Sequence, residues 1–401
     1  MNPSQTSRRR LIQGGLSAGA LLAVGVQPAH AQQTPGVTDK EIRFGTWMPL
    51  TGMVASYGVP HRLGLETYLE MVNDRGGIKG RKLKLVVEDN AYNPQRTIAA
   101  ARKLVTRDDV LAILSPFGTA QSAAAWEYLF DEAKVPVLNA YGGAGDWYTP
   151  PKENLYGALV LYENQARALG RWAAKDGHKN ILVLHSAAAA FENVASNVSP
   201  GAKSQRPDAN VELYSSKLLT TDYGPAALEI ARKNPDAVVF IVNQIECVAA
   251  CKELRHQGYK GAFYAYAPAV ANTTIELGGA SVNGLKSASF TVPVTSDAPA
   301  VKEYRDALAK YAPNEKPDYF SMIAFALAKI SVEAIRRIEG PITRQALVSS
   351  IRGMKDYDSG IIPPVTYSAQ RTLGATTIQR VTVQNGQWVV VGGAIDSEKN
   401  W

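Results

Sequence analysis

Leu111-Ala-Ile-Leu-Ser-Pro-Phe-Gly-Thr119 drives an apolar run into an abrupt polar corner. Val110 to Leu114 is aliphatic without a break, as expected of a strand buried on both faces of a parallel sheet. Ser115-Pro116 ends the run, and an Ala-rich helix is expected from Ala120 to about Ala133. Thr119 is placed to cap that helix, because its hydroxyl can accept a free N–H of the first turn. Such a corner aims uncompensated N–H groups above the sheet edge, which suits an anionic or polar ligand group. Capping a purely structural helix is the competing reading of Thr119, and the stronger one for this residue taken alone.

The same strand–turn–helix pattern extends in both directions. Upstream, Ile42 to Trp47 and Lys82 to Glu88 read as strands, with helices over Val59 to Asn73 and Pro94 to Thr106. Asn93-Pro94 opens the second of these with a capping residue and Pro at the first helical position. Val135 to Leu138 is a fourth strand, followed by the Gly-rich loop Asn139 to Trp147. The alternation restarts after residue 160, with strands at Asn180–Leu184, Val211–Tyr214, Ala237–Val242, Ala262–Ala265 and Gly284–Phe290. Apolar strands alternating with helices predict parallel sheets covered on both faces. The expectation is an α/β protein of two doubly wound units. The tail differs: helices are expected near 298–311, 317–338 and 343–352. Strands then fill Pro363 to Val391, around an Asn385-Gly386 hairpin turn.

The formal net charge is +7, and three of those charges are Arg8, Arg9 and Arg10 in a leader-like segment. The remaining balance is mild and no basic run exists, so a nucleic-acid partner is not implied. Residues 1–31 read as an export signal: a twin-arginine-like Ser7-Arg8-Arg9-Arg10-Leu11-Ile12, a Gly/Ala-rich apolar run, and Ala29-His30-Ala31 as cleavage site. General secretory export is the alternative. Either route places the protein beyond the cytoplasmic membrane, in the periplasm. Cys247 and Cys251 lie one helical turn apart, where a disulfide would close almost no loop, so two packed thiols are expected.

Sequence patterns of catalysis are missing. There is no phosphate-binding loop, no G-x-S-x-G elbow and no H-E-x-x-H, and His61, His178, His185 and His256 lack metal-ligand spacing. No enzyme activity, cofactor or metal is expected. Aromatic residues instead gather at or just past strand ends: Trp47, Tyr57, Phe117, Tyr141, Trp147, Phe191, Tyr264 and Tyr266. Open parallel sheets bind ligands at those ends. For each ring taken singly, core or hinge packing is the competing reading.

Phe44-Gly45, Pro49-Leu-Thr-Gly52, Ser56-Tyr-Gly58, Asn73-Asp-Arg-Gly-Gly-Ile-Lys-Gly-Arg81, Val86-Val-Glu-Asp89, Asn93-Pro94, Ala100-Ala-Arg-Lys-Leu104 and Val135-Pro-Val137 together resemble one family. It is that of type I periplasmic binding proteins of the branched-chain amino acid (Leu/Ile/Val-binding) class. The resemblance covers essentially the whole chain after the leader. It implies a monomeric solute receptor of an ABC importer, with a permease and an ATPase as partners. It also implies two lobes joined by a three-segment hinge: residues 41–158 with 290–365, and residues 159–289 with 366–395.

The family's ligand contacts carry over as follows. Phe117, Gly118 and Thr119 match the place where the ligand carboxylate is held. Tyr141, Gly142 and Gly143 match the loop that holds the α-amino group, with Gly143 where the family has Thr. Phe191 or Ala190 falls where the family has Tyr, and Ala267 falls near the acidic residue that meets the ammonium. Trp47, Tyr57, Asn243 and Tyr266 complete the expected ligand-binding set. Burying an ammonium without a carboxylate is costly, so a standard α-amino acid is disfavoured. The expected ligand is an aromatic or apolar carboxylic acid. The alternatives are a branched-chain amino acid or amide, with Glu246 as a candidate ammonium partner, and, in another class, a ligand-presenting partner of a sensory receptor.

Overall fold

The computed structural model describes residues 34–399, so the expected export signal at 1–31 lies outside it. The strands, in chain order, are β1 (Glu41–Met48), β2 (Lys82–Asp89), β3 (Ala112–Leu114), β4 (Val137–Leu138), β5 (Leu155–Tyr156), β6 (Asn180–Ser186), β7 (Asn210–Ser216), β8 (Ala237–Ile241), β9 (Ala262–Ala265), β10 (Lys286–Ser289), β11 (Thr377–Gln384), β12 (Gln387–Val390) and β13 (Ile395–Asp396). They form two sheets. One has the order β2-β1-β3-β4-β5 and is parallel throughout. The other has the order β12-β11-β10-β9-β8-β6-β7, with β13 paired to β11. Its β7-β6-β8-β9-β10 portion is parallel and repeats the topology of the first sheet. The last hairpin joins antiparallel, and its Asn385-Gly386 turn has positive φ at both residues, which matches the strands' twist.

Each sheet core follows from its sequence. β3 and β8 are completely buried, as their unbroken apolar runs require. The helix Ala55–Asp74 buries Leu65, Tyr68, Leu69 and Val72, and crosses the long helix Tyr319–Arg336. Gly64 makes that crossing close: a Cβ built there would sit 1.9 Å from the Ser321 carbonyl oxygen. The tail helices therefore return to the first sheet. Asn139 Nδ2 donates to the Leu327 carbonyl at 3.1 Å and to Ser331 at 2.8 Å. The Arg344 guanidinium donates to the carbonyls of Val110, Leu111 and Ala133. Two of the segments that pass between the sheets are tied together: Gly157 N donates to Thr372 O at 2.9 Å and Gly374 N to Gly157 O at 2.7 Å.

Three local expectations are corrected. The helix expected to run to Ala133 stops after Thr119–Ala123 and resumes as a π-turn over Tyr128–Glu132. The interruption seats Trp126 against Trp47, Phe130 and Trp147. The N-cap is Gly118, not Thr119, at φ +108, a left-handed conformation that suits glycine. Residues 363–376 are irregular rather than extended strands: Pro363-Pro364 interrupts pairing, and the segment serves as a crossing. Cys247 and Cys251 are both buried free thiols, as expected.

Candidate functional site

In both sheets the strand order reverses beside the first strand of the unit, between β1 and β3 and between β6 and β8. At such a switch point the following loops diverge and leave a crevice at the carboxyl ends of the strands. Here the two crevices combine into one cavity of about 540 Å3. Tyr57 follows β1, Tyr92 follows β2, and Phe117 to Ala120 follow β3. Tyr141 to Trp147 follow β4. Phe191 follows β6, Asn243 follows β8 and Tyr266 follows β9, while Tyr162 and Glu163 come from the first crossing segment.

Aromatic rings dominate the lining. Phe117 stacks on Tyr141 with centroids 4.5 Å apart and planes 8° from parallel. Tyr57 and Phe320 extend that wall, at 5.8 Å from Phe117 and 4.8 Å from Tyr57 respectively. Tyr162 and Tyr266 pair edge to face at 5.2 Å. Among the described residues no Lys, Arg or His lines the cavity, and its acidic side chains are Asp146 and Glu163. Burial raises the phenol pKa of Tyr57, Tyr141, Tyr162 and Tyr266, and pushes Tyr92 up to about 12, with the Glu246 carboxylate adding to the last. All of them are therefore neutral hydrogen-bonding groups at physiological pH.

The opening corner is built from the sequence outward. Ser115 takes φ +46 at the end of β3, and the buried His61 ring places Nε2 3.0 Å from both the Ser115 carbonyl oxygen and its hydroxyl. Phe117 N donates to Trp47 O at 2.8 Å, and Gly118 N to Tyr141 O at 3.1 Å. The helix that follows leaves the N–H groups of Thr119, Ala120 and Gln121 without intrahelical acceptors. With only five residues it has little macrodipole. The corner thus offers local hydrogen bonds rather than a helix field.

Other groups hold the walls in place. Asp89 accepts from Leu50 N at 2.9 Å and Thr51 Oγ1 at 2.6 Å, which fixes the loop before Tyr57. Glu246 is buried and fully engaged. Its Oε1 accepts from Ser186 Oγ and Leu219 N, and its Oε2 from Asn243 N and Nδ2. It fastens the loops after β6, β7 and β8, and has no oxygen left for a ligand ammonium. The Tyr57 hydroxyl accepts a hydrogen bond from Gln244 N at the start of the helix after β8. That bond joins the two lobes across the crevice.

Of the residues expected from sequence, Tyr57, Phe117, Gly118, Thr119, Tyr141, Phe191, Asn243 and Tyr266 line the cavity. Trp47 does not. It lies on β1, is fully buried, and donates its indole N–H to Ser122 Oγ at 3.1 Å, because alternate side chains of a strand face opposite layers. Gly142 and Gly143 stand behind the lining. A Cβ on Gly142 would meet the Trp147 ring at 2.4 Å, and one on Gly143 the Tyr162 ring at 3.0 Å. Their missing side chains admit the rings that form the wall. Tyr92, Tyr162, Glu163 and Phe320 line the cavity without having been expected. Tyr92 sits just past a strand end, so the strand-end rule could have found it. Phe320 arrives with the returning tail helix, and no local signal announces it.

Residues 41–387 match the family model described as periplasmic binding protein, and the chain belongs to that family. Its members are extracytoplasmic substrate-binding receptors that serve membrane permeases, not enzymes. The chain is 26% identical over 345 residues to the Leu/Ile/Val-binding protein homolog 7 of Brucella abortus, covering 80% of this chain and 82% of that one. Among solved structures it resembles a branched-chain amino acid ABC transporter protein from Thermus thermophilus with bound valine. The TM-score is 0.79 at 18% identity, over 89% of this chain and 97% of that one. It also resembles a fatty acid ABC transporter substrate-binding protein from Thermomonospora curvata. There the TM-score is 0.80 at 21% identity, over 92% and 96% of the two chains. These likenesses establish the type I two-lobed fold.

Proposed function

We propose that this receptor binds an aromatic or otherwise apolar carboxylic acid between its lobes. The observation that carries the reading is the chemistry of the lining: stacked and edge-on rings, neutral hydroxyls and backbone N–H groups, with Ala190 and Pro268 beside Ala267 on the second lobe. The ligand carboxylate meets the Thr119 hydroxyl and the free N–H groups that follow Gly118. Its body lies against Tyr57, Tyr141, Phe191 and Tyr266, with Asn243 at the second lobe's end. Burying a ring or alkyl chain against such walls contributes about 25 cal/mol per Å2. That the similar fold from Thermomonospora curvata is described as a fatty acid receptor is consistent with an apolar acid.

A branched-chain amino acid is the second reading. It is favoured by the relatives' descriptions and by the Glu163 carboxylate on the cavity wall. Thermal-shift titration against benzoates, medium-chain fatty acids, leucine, valine and their amides separates the two. A ligand at a hundred times its dissociation constant stabilises by about 2.7 kcal/mol. Shifts with leucine or valine and none with the acids would refute the first reading. For the acid that binds, Thr119→Ala should weaken affinity about fivefold to tenfold by removing one hydrogen bond; unchanged affinity would place the carboxylate elsewhere.

A further inference from the structure

Glu163 stands out within the cavity. It is the second residue of the helix Tyr162–Lys175, where the chain first crosses between the lobes. Its Oε1 accepts from Gly145 N at 3.1 Å and from Asn193 Nδ2 at 3.0 Å, so it touches the loop after β4 and the helix after β6 at once. Its Oε2 is buried and has no hydrogen-bond partner among the described residues. No Lys, Arg or His among the described residues lines the cavity to neutralise it. A carboxylate oxygen removed from water and left bare is costly, and the cost is relieved by a donor that arrives from outside. The two bonds on Oε1 fix the carboxylate's orientation, so Oε2 is held as an acceptor that a ligand donor reaches once the side chains covering it make way.

We infer that Glu163 is a specificity-determining residue, whose Oε2 accepts a hydrogen bond from an O–H or N–H group on the bound ligand. The inference rests on the cavity being the ligand site. It narrows the ligand class to acids that carry a donor in addition to the carboxylate, such as a phenol, alcohol or amine. A ligand lacking the donor leaves Oε2 bare and binds more weakly, whatever its hydrocarbon body. Discrimination of this kind is strong, because the unpaired group sits on the protein and cannot find water once the lobes close.

The test uses matched pairs that differ only by a donor: 4-hydroxybenzoate and benzoate, 3-hydroxybenzoate and 3-fluorobenzoate, leucine and 4-methylpentanoate. Dissociation constants are measured by calorimetry on the exported form of the protein and on Glu163→Gln. The glutamine side chain can keep its oxygen on Gly145 and Asn193, while its NH2 replaces the bare acceptor with a donor. In the wild type the donor-bearing member of a binding pair should bind at least tenfold tighter. In Glu163→Gln the leucine preference should vanish or reverse, because an ammonium cannot accept from the new NH2, and the hydroxybenzoate preference should fall at least threefold, because a phenol meets a neutral amide less strongly than a carboxylate, while the donor-free member changes less than threefold. The apo melting temperature, compared between the two proteins, reports whether the fold is kept. Glu163→Ser is the second variant, should glutamine fail to fold, with loss of the preference again expected. If benzoates bind but the pair ratio is the same in wild type and variant, the acid reading survives and the role of Glu163 falls. If no member of any pair binds, both fall together.

Discussion

His61 lends itself to a quantitative test, because it supports the corner at Ser115 from inside the core. Its ring is wholly buried, Nε2 meets the Ser115 carbonyl and hydroxyl at 3.0 Å, and Nδ1 has no partner among the described residues. Phe117 and Tyr141 pack edge-on at 5.4 and 5.3 Å. Burial lowers its pKa from 6.5 to about 4, against the Ser115 carbonyl, which favours the protonated ring. The unfolded chain therefore takes up this proton as the pH falls through 6.5, and the folded protein only near 4. Between those values the unfolded state holds more protons, so stability falls as pH falls and then levels off. At 1.36 kcal/mol per pH unit the window corresponds to about 3 kcal/mol. His61→Leu removes the titration but leaves the Ser115 carbonyl short of a donor, a loss of about 1–3 kcal/mol at neutral pH. Urea unfolding of both proteins at half-unit steps from pH 7.5 to 4 isolates this group, because other titrations cancel in the difference. The wild-type advantage at pH 7 should shrink by about 3 kcal/mol by pH 4, and the two curves should meet or cross. An advantage that stays constant over that range would refute the neutral, buried imidazole.

Two further substitutions probe the frame around the cavity. Gly64→Ala gains helix propensity of about 1 kcal/mol. It nonetheless forces a Cβ into the Ser321 carbonyl 1.9 Å away, so a net loss of about 2 kcal/mol or more is expected in denaturant unfolding. An unchanged or stabilised protein would mean the two helices do not approach so closely. Tyr57→Phe keeps the ring but removes the acceptor for Gln244 N across the crevice. Lobe closure should weaken by about 1 kcal/mol, read as a roughly fivefold loss in affinity for whichever ligand binds, with little change in apo melting temperature. Equal affinities would show that this bond does not contribute to closure.

Much of the candidate site was legible because strand ends are legible. Val110–Leu114 and Ala237–Val242 are apolar runs with one structural meaning, and a doubly wound sheet puts its ligand at their carboxyl ends. Phe117, Thr119 and Asn243 follow directly. Trp47 failed the same rule, since the strand runs one residue past it and its pleat turns the ring into the opposite layer. Gly142 and Gly143 lie on the loop after β4 but stand behind the cavity wall, and their contribution is the space they leave for Trp147 and Tyr162. Glu246, a candidate ammonium partner by sequence, instead pairs with Asn243 at the helix start and accepts from Ser186 and Leu219, which sequence distance concealed.

By itself the sequence determined most of the strands and helices, their parallel pairing, the two-unit organisation and the turn at Ser115 to Thr119, because those depend on local periodicity and turn chemistry. Which rings share one cavity was decided only by tertiary structure. Tyr57, Glu163, Asn243, Tyr266 and Phe320 meet because two sheets present their carboxyl ends to each other and a tail helix returns beside the first. The state of each polar group was decided the same way. Glu246 is saturated and Glu163 half bare, although each is a first-turn glutamate, since what separates them is the set of distant neighbours that burial brings within hydrogen-bonding reach.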